Sequence, residues 1–529
     1  YVVPTLSVAG TISPSAMSTS ERLSEQDAPA VPSRRRFFAA GATAAAGFAI
    51  ASRANAQPPR GGRGQPLPAG GVGAQDASLQ WADPVLRLVR RVTMGLNPGE
   101  VALARQLGFA GYLDYQLRAS TIDDGALESV IATRLPMTQM PAATLRTQDN
   151  TEVMNQLSDA TWYRAAFAKA QLRERMVEFW TDHFNISIDT VGFLKVVDDR
   201  EVIRPHALGN FRTLLTASAH SGAMLRYLDQ NTSRTPTPNQ NYAREIMELH
   251  TMGSEGGYTQ TDVAELSRIL TGWSMTADGA FRFNRTFHDR NAKTFLGRSF
   301  PAMPATASDA EMKAEGDVAI RMLLDHPSTA RYLSLQMARW LLAYEPPTAV
   351  VDATAAAYTR TGGDIPTMIR TILTSRNLST APAKYKRPFH LAISGIRALG
   401  ADTTTVPNIR AVRQQADRMG MPVFRWAQPD GYPDNVAWWS GLVITRWSYG
   451  QYLSTLNSAT VMRVDPAPFR SPDTPEGVVG QIGVRLFGGE MPTSLRTGLL
   501  TFLRGGTYNE TRIRETLSLA LGAQEYQWY

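Results

Sequence analysis

The chain has 529 residues with 43% hydrophobic and 19% charged residues, a globular composition that excludes a wholly disordered chain, a collagen-like repeat and a coiled-coil rod. Cysteine is absent, which excludes disulfides, thiolate zinc sites, cysteine-bound iron–sulfur clusters and a cysteine nucleophile. The formal net charge is +7, but the basic residues are mostly arginines scattered among acids. Because nucleic-acid binders concentrate their basic residues, we expect no nucleic-acid partner.

Residues 1–56 have the pattern of an export signal. The segment Ser33-Arg34-Arg35-Arg36-Phe37-Phe38 precedes a weakly apolar run at 39–52, and Ala54-Asn55-Ala56 matches a cleavage site. The apolar run is shorter than the roughly 20 residues that span a bilayer. Paired arginines before two phenylalanines resemble a twin-arginine signal, and the residues before Met17 fit an over-extended translation start. We therefore predict a periplasmic or secreted protein that is exported by the twin-arginine route.

A linker and a folded region are predicted after this signal. Residues 57–80 are rich in proline and glycine and have no apolar period, which predicts a disordered linker. Residues 81–529 are predicted to form either a single large helical domain or two interlocked helical subdomains. This region contains no run of 18 uncharged apolar residues, so we expect no transmembrane helix in the mature chain.

Helix signals recur along the folded region and predict a mainly α, multi-helical globular domain with little β structure. Asn97-Pro98-Gly99-Glu100 predicts a helix start with a capping box. Thr259-Gln260-Thr261-Asp262 predicts another helix start, and Gly272 stands where a left-handed helix end is needed. A further helix is predicted to begin at His326-Pro327. Short β structure is predicted at 280–300, where phenylalanines alternate.

Seven histidines are present, and His183 stands in the first of three polar segments. Glu178 and Asp182 are four residues apart and are predicted to share one face of a helix. His183 follows near the predicted end of that helix. An imidazole there is a candidate metal ligand, although the helix dipole alone also explains a histidine at this place.

The second polar segment is a predicted helix that Asn239 or Asn241 can cap. Glu245 and Glu248 then lie on one stripe of this helix. Two carboxylates three residues apart suit acid–base chemistry or metal binding. Arg244 is four residues before Glu248, so a surface ion pair explains the pattern as well.

The third polar segment is a predicted loop, His288-Asp289-Arg290-Asn291-Ala292-Lys293. His288 and Asp289 are candidate N and O ligands for a divalent metal, which suits a chain without cysteine. Lys293 is a candidate cation for the stabilisation of anionic charge. Loops carry function more often than helices do, and a hydrated turn is the alternative interpretation.

Longer stretches of the sequence resemble the bacterial family named domain of unknown function 1800. The resemblance spans about residues 82–529, and it includes LRLVRRVTMGLNPGEV (86–101), FWTDHFNIS (179–187), NQNYAREIMELHTMGSEGGYTQTDVAELSRILTGW (239–273) and FHDRNAKTFLG (287–297). It implies a mostly helical fold and an export signal. It also implies a co-encoded exported protein as a candidate partner, but no established activity.

Three hypotheses about function follow. The first is a periplasmic or cell-envelope enzyme, a metal-assisted hydrolase that binds a divalent metal. Its metal ligands would be His183, His288 and Asp289, and its catalytic groups Arg244, Glu245, Glu248 and Lys293. The second is a non-catalytic envelope protein that binds a surface polymer or the co-encoded protein. The third is that the polar segments are structural and contain buried ion pairs, such as Arg244 with Glu248, that fix the packing of helices.

Overall fold

Residues 81–529 are described by a computed structural model and fold mainly into helices, which confirms the predicted fold class. The predicted signal at 1–56 and the predicted linker at 57–80 lie outside the described residues. None of the described helices combines the length and the apolar character needed to cross a membrane. The division of 81–529 into one or two helical units stays a prediction.

The first part of the described chain is helical throughout, with one π-helical segment at Asp199–Ile203. Its helices are α1 Pro84–Val92, α2 Pro98–Leu117, α3 Gly125–Arg134, α4 Ala142–Leu145, α5 Asn150–Phe167, α6 Gln171–His183, α7 Ile188–Val191, α8 Leu194–Asp198 and α9 Arg204–His206. Short 3₁₀ turns lie at Ala119–Thr121 and Pro136–Gln139.

The middle part contains two small antiparallel sheets between helices. Its helices are α10 Phe211–His220, α11 Gly222–Tyr227, α12 Gln240–Glu248, α13 Gln260–Ile269, α14 Asp309–Asp325, α15 Pro327–Leu341, α16 Thr348–Thr361 and α17 Ile365–Ile372, with a 3₁₀ turn at Gln230–Thr232. Strand β1 Trp273–Met275 pairs with β2 Phe281–Phe283, and β3 Lys293–Phe295 pairs with β4 Arg298–Phe300. The predicted short β structure at 280–300 is thus confirmed.

The last part is again helical. It contains α18 Ser375–Thr380, α19 Pro388–Ala398, α20 Ile409–Asp417, α21 Val436–Trp439, α22 Val443–Thr455, α23 Pro475–Phe487, α24 Thr493–Arg504 and α25 Glu510–Gly522, with 3₁₀ turns at Ala467–Phe469 and Gln524–Gln527. The backbone of Lys384 pairs with that of Tyr529 through two hydrogen bonds of 2.9 Å. This pairing holds the segment before α19 against the end of the described chain.

Two large groups of buried apolar side chains form most of the interior, beside a small third group of Ala119, Ile122 and Ala170. One lies mainly among residues 172–378 and contains Trp180 and Trp273. The other lies mainly among residues 385–526 and contains Trp439. Helices α1 and α2 pack into the first group, whereas α5 packs into the second. Helix α6 carries residues of the first group up to its C-terminal end, where polar side chains collect.

The predicted helix starts are confirmed, with one correction. The side chain of Asn97 accepts hydrogen bonds from the amides of Gly99 and Glu100, as predicted. The predicted capping box is absent from this helix. The carboxylate of Glu100 instead accepts a hydrogen bond from Tyr112 at 2.5 Å and lies 3.2 Å from Arg397. A buried guanidinium attracts a carboxylate more strongly than a backbone amide does.

The second predicted start has a complete capping box. Thr259 and Asp262 exchange side-chain-to-backbone hydrogen bonds at the start of α13. After this helix Gly272 has a φ of +86°, and a Cβ there would lie 2.8 Å from the carbonyl oxygen of Asn284. The glycine therefore meets two needs, a left-handed turn and close packing against the chain that follows β2.

Candidate functional site

An open polar cleft lies where α6 ends, beside α15 and the loop that precedes α21. Its volume is about 480 Å³. Its walls are formed by Phe179, Asp182, His183, Leu249, Tyr332, Gln336, Arg339, Trp340, Tyr344, Glu345, Arg387, Pro429, Asp430, Tyr432, Pro433, Asp434 and Asn435. The size is sufficient for a small molecule or for a few residues of a polymer.

The carboxyl group of Asp182 is the most perturbed acid in this cleft. One of its oxygens accepts a hydrogen bond of 2.6 Å from Arg387, and the other accepts one of 3.3 Å from the amide of Tyr432. Burial raises the pKa of Asp182 to about 6, and the negative charge of Glu178 acts in the same direction, while Arg387 opposes both. A carboxyl group with this pKa exchanges protons near neutral pH, which is a property of general acids and bases.

Helix α6 places Glu178 and Asp182 on the same face, as their spacing predicts. Both carboxylates contact the single guanidinium group of Arg387, and Glu178 also pairs with Arg175 at 2.7 Å. Arg387 precedes Pro388, the first residue of α19. A residue before proline is restricted to an extended backbone conformation. This conformation directs the chain into α19 and leaves the guanidinium beside α6.

A second ion pair forms another part of the wall. The ammonium group of Lys384 lies 2.5 Å from one carboxylate oxygen of Asp434 and donates to the carbonyl oxygen of Arg339 at 2.6 Å. The other oxygen of Asp434, Oδ1, is buried and accepts no hydrogen bond from the described residues. Buried carboxylate oxygens rarely lack a donor, so the ion pair with Lys384 is the main polar contact of the Asp434 side chain.

Gly431 lets the loop approach the end of α6. Its φ is +73°, and a Cβ at this position would lie 2.4 Å from the carbonyl oxygen of Asp182. Any side chain here would push the loop away from the helix. The glycine therefore fixes how close the Asp430 and Asp434 side chains come to Asp182.

His183, the last residue of α6 as predicted, lies among aromatic rings at the cleft. Its ring centroid is 4.7 Å from that of Phe184 and 6.5 Å from that of Tyr332. Its Nε2 donates to the carbonyl oxygen of His250 at 3.1 Å. Burial lowers the pKa of His183 to about 4, so the imidazole is neutral at pH 7 and carries its hydrogen on Nε2.

The buried imidazole of His250 predicts acid sensitivity. Burial lowers its pKa to about 3, and the neighbouring His183 acts in the same direction. A folded-state pKa below the unfolded value of about 6.5 means that its stability contribution is present above pH 6.5 and is lost as the pH falls towards the folded pKa. Between pH 7.5 and 4.5 we expect His250 to account for a loss of about 2.6 kcal/mol.

The variant His250→Phe tests this expectation, because phenylalanine keeps the aromatic packing and cannot bind a proton. Urea unfolding at pH 7.5 and pH 4.5 gives the acid-induced loss of stability for each protein. The loss is expected to be smaller by about 2.6 kcal/mol in the variant. Asp182 has a raised pKa, so its contribution to stability changes with pH in the opposite direction. It is present in both proteins, and its contribution therefore cancels when they are compared. Equal losses in the two proteins would contradict the expectation.

The predicted loop candidates His288 and Lys293 meet at one buried carboxylate. Lys293 donates to Glu315 at 2.7 Å, and Nε2 of His288 lies 3.2 Å from the same oxygen. On the other side of the imidazole, Nδ1 lies 2.8 Å from the carbonyl oxygen of Thr271. The three side chains link the β3 region to α14 inside the protein. This position suits a structural role, and the predicted catalytic role of Lys293 stays a prediction.

Asp289 binds a guanidinium group on α13. Arg268 donates to one of its oxygens at 2.7 Å, and Asn291 donates to the other through its backbone and its side chain, each at 2.9 Å. Glu265 pairs with Arg268 and accepts a hydrogen bond from the amide of Thr294. These bonds attach the predicted loop to α13. They leave few lone pairs of Asp289 for a metal ion.

The predicted catalytic stripe Arg244, Glu245 and Glu248 lies on α12, next to the cleft. Arg244 donates to the side chain of Gln260 at 2.9 Å. The predicted ion pair between Arg244 and Glu248 is wrong, because no ion pair joins them among residues 81–529 and Arg244 donates to Gln260 instead. Burial is the main cause that raises the pKa of Tyr332, and the negative charge of Glu248 raises it further. Glu248 therefore lies near a wall of the cleft.

The structure does not bring the three predicted metal ligands together. His183 contacts His250 and Tyr332 at the cleft, whereas His288 and Asp289 lie between α13 and α14. Among residues 81–529, no group of three or more His, Asp or Glu side chains is arranged to hold a metal ion. The metal-binding role of these residues stays a prediction.

Comparison with known proteins identifies the family. The sequence model of the family described as "Protein of unknown function (DUF1800)" matches residues 87–528. The chain belongs to this DUF1800 family. Residues Asp182, Lys384, Arg387 and Asp434 all lie within the matched region of the DUF1800 protein. No curated protein and no solved structure was found to match the chain.

The sequence predicts Asp182 only as a neighbour of Glu178 on one helix face, and it does not predict Asp182, Lys384, Arg387 or Asp434 of this DUF1800 protein as site residues. Two signals point to the last three. The segment Lys384-Tyr385-Lys386-Arg387 holds two of the six lysines of an arginine-rich chain. Asp430-Gly431-Tyr432-Pro433-Asp434 is a proline- and glycine-containing loop with two acids, the kind of segment that carries functional side chains.

Proposed function

We propose that this DUF1800 protein is an exported hydrolase whose acid–base groups lie in the cleft at the end of α6. The observation that carries the proposal is Asp182, a cleft carboxyl group whose pKa is raised to about 6 beside Arg387. Export rests on the twin-arginine pattern of residues 33–38, which lies outside the described residues.

The proposed reaction needs one proton donor and one proton acceptor. Asp182 gives its proton to the leaving oxygen of the substrate as the bond breaks. Asp434, whose side chain is 20% exposed in the cleft, accepts a proton from the attacking water. Water thus supplies a hydroxyl group to one product and a proton to the other, and both carboxyl groups then exchange their protons with solvent.

The experiment is a turnover assay on a panel of chromogenic glycosides, carboxylic esters and phosphate esters. The wild-type protein is expected to cleave one class, and Asp434→Asn is expected to lower turnover about 100-fold because the acceptor is lost. Glu345→Gln is the matched control, since Glu345 lines the same cleft but has no step in the reaction. Equal activity of Asp434→Asn and wild type would contradict the proposal.

The same preparations test the metal-assisted form of the hypothesis. It holds that His183, His288 and Asp289 bind a divalent metal and that Arg244, Glu245, Glu248 and Lys293 act on the substrate. Metal analysis of the wild-type protein, His183→Ala and His288→Ala decides this form. Stoichiometric metal in the wild type and its loss in both variants support it, and metal-free active protein rejects it.

An exposed apolar surface favours a second candidate function, a non-catalytic envelope partner. Ile444 on α22 is 77% exposed and Trp447 is 57% exposed. Exposed apolar patches often mark sites of protein association. A one-to-one complex with the co-encoded exported protein, without turnover of any substrate in the panel, would support this candidate over the hydrolase.

A further inference from the structure

A chain of aromatic rings leads from the cleft to the protein surface. The ring centroid of Trp426 is 5.1 Å from that of Tyr432, which lines the cleft, and 5.7 Å from that of Trp438. Trp438 is 52% exposed to solvent. We call these three residues, Tyr432, Trp426 and Trp438, the aromatic platform. It extends the cleft outwards along the loop before α21.

Polar groups of the cleft wall border the aromatic platform. The indole nitrogen of Trp426 donates to Asp430 at 2.8 Å, and the side chain of Asn435 accepts a hydrogen bond of 2.9 Å from the amide of Trp438. Asp430 and Asn435 also line the cleft. The ring planes of Tyr432 and Trp426 differ by 48° and those of Trp426 and Trp438 by 77°. A ligand beside Trp438 therefore meets one exposed indole ring and, next to it, carboxylate and amide groups.

The charge of the cleft selects against polyanions. Four carboxylates line it, those of Asp182, Glu345, Asp430 and Asp434, against the guanidinium groups of Arg339 and Arg387 and the ammonium group of Lys384, which pairs with Asp434. A phosphate- or uronate-rich polymer would meet a small excess of negative charge at short range. A neutral ligand rich in hydroxyl groups meets no such repulsion and can donate hydrogen bonds to the carboxylates.

We propose that the aromatic platform is a subsite for the flat rings of a neutral β-linked polysaccharide, which it guides into the cleft. A pyranose ring in such a chain has apolar faces of C–H groups and a rim of hydroxyl groups. One of these faces matches the indole ring of Trp438, which is 52% exposed and has a large, rigid apolar area, and the rim matches Asp430 and Asn435. The inference rests on the proposed hydrolase and names its substrate class.

The test is retention of the full chain on insoluble and gel-immobilised polysaccharides. Asp182→Asn serves as the background, because it lacks the proton donor and leaves the polymer intact. Retention is expected on at least one of microcrystalline cellulose, chitin, xylan and β-mannan, and Trp438→Ala in this background is expected to weaken it at least tenfold. Trp447→Ala is the matched control, an exposed tryptophan whose indole binds Gly522 at 2.9 Å, and it is expected to leave retention unchanged.

Other outcomes overturn the inference. The inference is overturned if none of the four neutral polymers retains the protein or if polygalacturonate binds it more tightly than they do. It is also overturned if Trp438→Ala and Trp447→Ala lose retention equally. The last result would mark a wider apolar surface, as expected for a protein partner. Cleavage of small substrates without polymer retention rejects the subsite alone. Retention by wild type without any cleavage of the polymer or of the chromogenic panel rejects the hydrolase and leaves the subsite standing.

Discussion

Glu315→Gln is expected to lower the free energy of unfolding by about 3–5 kcal/mol, because it removes one partner of a buried ion pair. The ammonium group of Lys293 has no exposed side-chain area and donates to Glu315 at 2.7 Å. An amide in place of the carboxylate leaves this cation in the interior without a counter-charge. His288, whose Nε2 lies 3.2 Å from the same oxygen, loses its acidic neighbour too.

Urea unfolding followed by circular dichroism measures this effect, and a double variant provides the control. Lys293→Met removes the cation, so Lys293→Met with Glu315→Gln is expected to recover part of the stability that Glu315→Gln loses alone. Folded, soluble Lys293→Met protein that is inactive would instead support the predicted catalytic role of Lys293. Destabilisation below 1 kcal/mol in Glu315→Gln would contradict the structural role of this cluster.

The helices of this DUF1800 protein follow from local sequence signals. Asn97, Thr259 and His326 each accept a hydrogen bond from the backbone at a helix start. Capping residues predict the first two starts, and the pair His326-Pro327 before an apolar segment predicts the third. The face shared by Glu178 and Asp182 also follows from spacing alone. Such signals act within one or two helical turns, so a single sequence contains all the information that they need.

The candidate site depends on contacts that local signals do not contain. Asp182 and Arg387 are 205 residues apart in the chain, and Lys384 and Asp434 are 50 apart. Their pairing depends on how α6, α19 and the loop before α21 pack together. The raised pKa of Asp182 depends on burial by the same packing, and a sequence pattern gives no measure of burial.

The polar segments that the sequence did identify show the same limit. His183 lies at the end of α6 as predicted, but its ring packs among Phe184, Tyr332 and other aromatic residues. His288 and Lys293 were grouped by proximity in sequence, and the partner that they share, Glu315, is 22 residues beyond Lys293. Residue type indicates what a side chain can bind, whereas the neighbours supplied by the fold decide which partner it has.

Asp182→Asn is expected to lower the turnover of the hydrolase at least 100-fold, because general acid catalysis typically contributes a factor of 10² to 10⁴. Asparagine has nearly the same shape and can still accept the hydrogen bond from Arg387, so the cleft is expected to keep its geometry. Circular dichroism and thermal unfolding of the variant check that the fold is intact. An active Asp182→Asn protein would show that another group donates the proton.

The pH dependence of kcat separates a proton donor from a residue that only holds Arg387. Asp182 acts in its protonated form, and its pKa is about 6, so kcat of the wild type is expected to fall tenfold per unit as the pH rises above about 6. Glu178→Gln removes a negative charge that raises this pKa, so the fall is expected to begin at a lower pH. A residual rate in Asp182→Asn that does not change between pH 5 and 8 completes the expected pattern. If the fall keeps its midpoint in Glu178→Gln, the titrating group is not Asp182, because the charge of Glu178 acts on the pKa of that carboxyl group.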